Sequence, residues 1–152
     1  MTIRVQTEDF DIGAELEKLS AGNHQIGGVA SFIGLVRDIA PKGSAAESSM
    51  TLEHYPGMTE KRLTEIEAQA QSRWPLAATL IIHRYGRLEP GDRIVLVATA
   101  SSHREAALES CAFLIDWLKT EAPFWKLEDG PEGPHWVDAK TSDDARKAAW
   151  KK

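Results

Sequence analysis

Two stretches of the chain hold residues whose types and spacing can do chemistry. In Thr99-Ala100-Ser101-Ser102-His103-Arg104-Glu105, Ser102 and Glu105 fit the S-x-x-E capping box, which sets His103 and Arg104 in a first helical turn at the end of an apolar run. Free N–H groups and the positive end of the helix dipole attract an anion there. An imidazole and a guanidinium add directional donors, so the junction is a candidate phosphate site. An ordinary capped helix whose Arg104 pairs with a surface carboxylate accounts for the same spacing. The second stretch is Lys119-Thr120-Glu121-Ala122-Pro123-Phe124-Trp125-Lys126-Leu127-Glu128. Lys119 falls near a helix C-terminus, where a cation complements the dipole. Lys126 lies beyond the Pro123 break and shares a strand face with Phe124 and Glu128. Two lysines bracketing an aromatic turn can also converge on a half-dry pocket, where desolvation lowers an amine's pKa and makes it a base or nucleophile. Spacing does not choose between these readings.

Other candidates are weaker. Arg37 follows a Gly-bearing apolar segment and opens a polar loop, a place from which a cation reaches a ligand, although a solvated surface Arg is commoner. His54 and His83 have no His, Cys or carboxylate at zinc-ligand spacing and read as structural histidines. Cys111 sits on the apolar face of a helix, where it reads as a small core residue. No metal site is expected. The chain has no Gly-x-Gly-x-x-Gly, P-loop or Gly-x-Ser-x-Gly elbow.

The elements that must position these residues follow from periodicity. Residues 3–6 read as a strand and 11–19 as a helix with Ile12, Leu16 and Leu19 on one side. Residues 26–36 form a long, curved strand in which Gly27, Gly28 and Gly34 permit close backbone approach. Residues 38–49 have neither period and read as a mobile loop. A strand over 50–55 precedes a helix from about Thr59 to Trp74, which Pro75 ends. After a strand over 77–85 and a turn at Pro90-Gly91, the run Ile94-Val95-Leu96-Val97-Ala98 is the best candidate for the sheet centre. A helix from Ser102, with Ala107, Cys111, Leu114 and Leu118 inward, stops before Pro123. Segments 124–127 and 135–137 resemble a hairpin, and a charged tail covers about 139–152.

Composition bounds the answer. A length of 152 residues implies one domain, and 42% hydrophobic with 27% charged residues is globular. Eighteen Lys and Arg against 23 Asp and Glu leave a net charge of −5, so neither nucleic acid nor a membrane surface is an expected partner, and any anion site must be local. The single cysteine rules out an internal disulfide and fits a reducing compartment. With no leader or apolar span, a cytoplasmic protein is expected. Alternating strands and helices imply an α/β or α+β domain with helices packed on a mixed sheet. Trp125, Trp136 and Trp150 concentrate aromatic surface near the end, which suggests a homodimer interface at the C-terminal hairpin.

Six segments together resemble the large catalytic subunit family of molybdopterin synthase. They are Phe32-Ile33-Gly34-Leu35-Val36-Arg37, Leu52-Glu53-His54-Tyr55-Pro56-Gly57-Met58, Ile82-His83-Arg84-Tyr85-Gly86, Pro90-Gly91-Asp92, Ser102-His103-Arg104, and Leu118-Lys119 through Ala122-Pro123-Phe124-Trp125-Lys126. They lie within about residues 26–140. The resemblance implies an α/β hammerhead core with an antiparallel subdomain. It also implies a sulfurtransferase without a bound cofactor that forms the dithiolene of molybdopterin from cyclic pyranopterin monophosphate. Sulfur would come from the C-terminal Gly-Gly thiocarboxylate of a small ubiquitin-like sulfur-carrier subunit, within a 2:2 heterotetramer built on a homodimer of large subunits.

Carried over residue by residue, the resemblance makes Lys119 the acid/base nearest the sulfur donor and Lys126 the second active-site lysine. Arg37, His103 and Arg104 would hold the pterin phosphate, and Leu127 and Glu128 would line the same pocket. The family usually has Lys or Arg at Leu127, often Lys or Thr at Leu35, and often Arg at Lys140; each difference alters a group near the anion site. A noncatalytic module that grips a ubiquitin-like tail is the alternative from another class. It has no need of the His103-Arg104 pair.

Overall fold

The computed structural model describes residues 1–38, 49–130, 133–137 and 141–150, with side chains up to Phe124 and again from Ala145. The loop expected over 38–49 falls almost wholly outside them. The elements are β1 (Thr2–Gln6), α1 (Ile12–Ser20), β2 (Gly28–Leu35), β3 (Ser49–His54), α2 (Met58–Arg73), β4 (Leu76–Arg84), β5 (Gly86–Leu88), β6 (Arg93–Ser101), α3 (Arg104–Glu121), β7 (Phe124–Gly130), β8 (Gly133–Val137) and α4 (Thr141–Ala148).

They build two four-stranded sheets. The first has the order β1-β4-β6-β2, with β1 and β4 parallel and the other pairs antiparallel; the second, β5-β3-β7-β8, is antiparallel throughout. The expected α+β fold, a mixed sheet with helices plus an antiparallel unit, is the one observed. β6 pairs on both sides, and its residues from Ile94 to Ser101 are all buried, which explains why its sequence is continuously apolar rather than alternating. One face carries α1, whose Ile12, Leu16 and Leu19 meet Phe10, Leu80, Ile82, Leu96 and Ala98. The other carries α2 and α3, which bury Leu63, Ile66, Ala70, Phe113, Leu114 and Leu118 against Val95 and Val97. Asp11 starts α1 as its N-cap, accepting from the Ala14 amide at 3.0 Å.

Glycines at two bends decide where the sheets go. Gly86, at φ +90°, turns the chain out of β4 in the first sheet and into β5 of the second. Gly91, at φ +89°, follows Pro90 in a turn closed by Asp92 N–H to Glu89 O at 3.0 Å. That turn is sewn to the end of β2 by Gly91 N–H to Val36 O at 2.8 Å and Val36 N–H to Asp92 O at 2.9 Å, which fixes the backbone just before Arg37.

Three expectations change. The S-x-x-E box at Ser102 is not formed: α3 begins at Arg104, and His103 is its N-cap without a side-chain cap bond. β6 runs on through Ser101, whose carbonyl takes the Gly27 amide at 2.9 Å and whose hydroxyl donates to Pro75 O at 2.7 Å, so the strand claims the residues the helix would need. The charged tail contains α4, packed on α3. Trp150 is no exposed interface anchor; its ring sits edge-on to Trp74 and Phe113, at 5.8 and 5.7 Å between centroids.

Candidate active site

Lys119 stands in the last turn of α3, half-buried, where the helix dipole favours a cation. Ala122 caps the helix, Pro123 prevents another turn, and Phe124 opens β7. This turn is clamped from two sides. The Thr59 hydroxyl donates to Pro123 O at 3.3 Å and accepts the Tyr55 amide at 3.2 Å, joining the loop before α2 to the end of α3. The Phe124 ring stacks on buried His83, 3.7 Å between centroids at 17°, and lies 6.2 Å from His54. His83 Nδ1 donates to Arg84 O at 2.8 Å, and His54 packs 4.2 Å from Tyr85. Both histidines thus pack around the turn between Lys119 and Lys126.

Lys126, Leu127 and Glu128 follow on β7, paired with Leu52, Thr51 and Met50 of β3 and with Val137, Trp136 and His135 of β8. The two lysines therefore bracket the clamped Pro123-Phe124 turn, one on the helix and one on the strand.

His103 and Arg104 are exposed at the other end of α3, beside the start of β2. A Cβ on Gly27 would lie 2.0 Å from Ser102 O, and the one on Gly28 would be 3.8 Å from Arg104 Cα, so glycine allows β2 to run against this junction. α3 and β2 then run side by side in the same direction, and exposed Arg37 lies past the far end of β2, toward Lys119. Fifteen residues of helix separate Arg104 from Lys119, about 22 Å at 1.5 Å per residue. Within one chain, Arg37 and Lys119 share an end and the His103-Arg104 pair does not reach it.

An open groove of about 710 Å³ lies between β2 and α3 and reaches Lys119, and Arg37, His103 and Arg104 are not part of its lining. Ala30 and Phe32 of β2 and Leu108, Cys111, Ile115 and Lys119 of α3 line it. Burial pushes the Cys111 thiol up to about 11, so it stays protonated and serves as apolar floor. The flanks are unusually apolar for a surface: Val29 and Phe32 are each 41% exposed, Leu35 54% and Leu108 61%. A second cavity, beside Asp9, Phe10 and Arg93, holds none of the residues singled out by sequence. Among the described residues no group of His, Cys, Asp and Glu could hold a metal ion, and no helix is long and apolar enough to cross a membrane.

Sequence reasoning missed Asp116, a carboxylate only 6% exposed one turn before Lys119. It accepts from Arg146 Nε at 3.0 Å and from Trp150 Nε1 at 2.7 Å. The one signal was an acidic residue on the buried side of an otherwise apolar helix.

Comparison with known proteins bears on the whole chain. The family described as MoaE protein matches residues 5–121. A molybdopterin synthase catalytic subunit from Ralstonia nicotianae is 56% identical over 149 residues, covering 98% of this chain and 84% of that protein. One from Pseudomonas aeruginosa is 53% identical over 150 residues, 99% of each. Among solved structures, the molybdopterin biosynthesis MoaE protein from Burkholderia ambifaria is similar at a TM-score of 0.83 and 54% identity, over 99% of both chains. Molybdopterin synthase from Staphylococcus aureus is similar at a TM-score of 0.78 and 29% identity, over 89% of this chain and 96% of that one.

Proposed function

The chain belongs to the MoaE protein family, and from that membership we propose that it transfers sulfur to cyclic pyranopterin monophosphate to make the dithiolene of molybdopterin. The observation that carries this reading is identity above 50% over nearly all of this chain to two molybdopterin synthase catalytic subunits, with Lys119 and Lys126 on either side of one clamped turn. The donor is the C-terminal thiocarboxylate of a small ubiquitin-like subunit, whose extended Gly-Gly tail suits the apolar groove that reaches Lys119. A dithiolene holds two sulfurs, so two tails are consumed for each product: each new C–S bond replaces a C–O bond of the substrate side chain, the displaced oxygen leaving as water or remaining on the phosphate, and water supplies the oxygen that turns each spent tail into a carboxylate. Lys119 is the acid/base of transfer and Lys126 its companion, with Leu127 and Glu128 beside it on β7. The cytoplasm is the compartment this reading assigns.

The phosphate is held by Arg37, His103 and Arg104. Because His103 and Arg104 lie about 22 Å from Lys119 along their own helix, they serve the site of a second copy. β2 is the edge of its sheet among the described strands, and its flank with α3 is apolar. Two copies related by a twofold axis across this flank bring the ends of the flank together crosswise, so that each Lys119 and Arg37 meets the other chain's His103 and Arg104. The interface is therefore this edge rather than the C-terminal hairpin. The complex is a 2:2 heterotetramer with one small subunit per site.

The test is to mix the purified protein with thiocarboxylated small subunit and cyclic pyranopterin monophosphate and follow dithiolene product by mass spectrometry. Stoichiometric formation is expected. Tight binding of the tail without product would instead establish a noncatalytic tail-binding module.

A further inference from the structure

The β3–β7 ladder ends where His54 stands opposite Phe124. Past that pair the chain leaves the sheet in two directions, forward from His54 through Tyr55 into α2 and backward from Phe124 through Pro123 into α3. Thr59, the second residue of α2 and wholly buried, lies across this opening. Its amide donates to Tyr55 O at 2.9 Å, and its hydroxyl accepts the Tyr55 amide at 3.2 Å. An amide N–H can only donate, so the hydroxyl's own hydrogen is left for the Pro123 carbonyl, 3.3 Å away. The first turn of α2 is closed around Thr59: the Glu60 carboxylate takes the Gly57 amide at 2.6 Å, and Lys61 N–H reaches Gly57 O at 3.0 Å.

The carbonyl that Thr59 holds belongs to the link between Lys119 and Lys126. Proline has no N–H with which to fasten itself. The backbone on either side is held within the link, by Ala122 N–H to Leu118 O at 3.3 Å and Phe124 N–H to Ala122 O at 2.9 Å. The Thr59 hydroxyl instead ties the link to a different element, α2. One end of the link belongs to α3 and the other to β7, so a shift of Pro123 changes the separation of the two lysines while both elements stay formed. Acid/base transfer responds to such a shift, ~1 Å of misplacement being worth about 10²-fold in rate.

We propose that Thr59 is a positioning residue for sulfur transfer, its hydroxyl fixing the separation of Lys119 and Lys126 through Pro123. This role rests on the sulfur-transfer reading above. It makes α2, which carries none of the reacting groups, part of what sets the rate.

The test is single-turnover sulfur transfer by the full chain with thiocarboxylated small subunit and cyclic pyranopterin monophosphate. Thr59→Val keeps the shape and removes the hydroxyl, so the rate at saturation should fall by about tenfold or more while both dissociation constants stay within about twofold. Thr59→Ser, which restores the hydroxyl, should recover most of the rate. Ile66→Val, buried farther along α2, lowers the melting temperature without touching the link, and its rate should match the parent's. In a Lys119→Ala background Thr59→Val should add little further loss, because the group it positions is gone. If Thr59→Val does not fold, Thr59→Ala takes its place. A parental rate in the folded variant that lacks the hydroxyl, or a loss that Ile66→Val shares, would overturn the proposal. A parent that forms no dithiolene would instead reject the sulfur-transfer reading. Thr59 is then judged by acetylation of Lys119 and Lys126 with acetic anhydride, mapped by mass spectrometry. A labelling ratio altered in Thr59→Val and not in Ile66→Val supports its hold on the two lysines, and an unaltered ratio overturns it.

Discussion

At the scale of single residues, the same amine can be decoration on a helix end or the centre of a reaction, and what separates the two is what the neighbours enforce. Lys119 complements the α3 dipole, as any lysine there would. It also stands half-buried at a groove, above a turn locked by Thr59 and by Phe124 on His83. A dipole role is worth little to folding, so Lys119→Ala should keep its thermal transition while single-turnover sulfur transfer falls roughly 10²–10⁴-fold. Lys119→Arg should do no better, since guanidinium holds its proton near neutral pH. Near-normal single-turnover rates in either variant would remove Lys119 from the chemistry.

Glu67 makes the opposite case, a titratable residue far from the groove whose effect is on stability. It is buried on α2 and receives the Thr79 hydroxyl at 2.6 Å. Burial raises its pKa above the ordinary carboxylate value, against a smaller opposing pull from that hydroxyl. The folded state thus binds the proton more tightly than the unfolded chain, and its stability falls as pH climbs past the ordinary value and through the raised one. Glu67→Gln should melt higher than the parent at pH 7, with the advantage shrinking toward pH 4. A variant that melts lower at pH 7 would mean the charged form is the one the fold prefers.

At the scale of elements, the site depends on how closely β2 is allowed to approach the β6–α3 junction. Ala at position 27 would set its Cβ 2.0 Å from the Ser102 carbonyl, a backbone atom that cannot swing aside. Gly27→Ala should cost about 1–3 kcal/mol and shift His103 and Arg104, seen as a lower melting temperature together with weaker pterin binding. Gly28→Ala, whose nearest neighbour is Arg104 Cα at 3.8 Å, is the control and should be nearly silent. Equal effects from both would locate the constraint elsewhere.

The sequence made legible those elements whose burial matches a single period. β6 reads as a central strand because both its faces are covered, and α1 and α3 show their inward stripes directly. β5 escaped because three residues carry no period, and only the positive φ of Gly86 marks it. The helix start at Ser102 was misplaced because a capping motif is local, whereas the pairing of β2 with β6 through Ser101 is not. Likewise, the contact of α4 with α3 depends on Asp116 meeting Arg146 and Trp150 across thirty or more residues, which no spacing rule encodes. Residues with chemistry could be named one by one; which of them share a pocket required the fold.

At the scale of the whole molecule, helix length becomes a statement about assembly. Arg104 and Lys119 lie on one straight element, about 22 Å apart, so no side-chain rearrangement within a chain brings both to one substrate. The proposed twofold pairing of β2 edges would let each chain supply one end of the other's site, and the exposed Val29, Phe32, Leu35 and Leu108 are the surface it would cover. The isolated chain should therefore sediment at twice its 16.8 kDa mass. A sharper consequence follows for mixtures. Lys119→Ala and Arg104→Ala should each be nearly inactive alone, because every site in either homodimer lacks one group. When the two are unfolded together and refolded at equal concentration, half of the dimers are hybrids. Each hybrid has one site carrying both lesions and one carrying neither, so activity should return to about a quarter of the parental value. If both groups acted within one chain, every site in the hybrid would remain defective and mixing would restore nothing. The recovered fraction thus tests the shared site independently of sedimentation, and it would also fail if the dimer formed through the C-terminal hairpin.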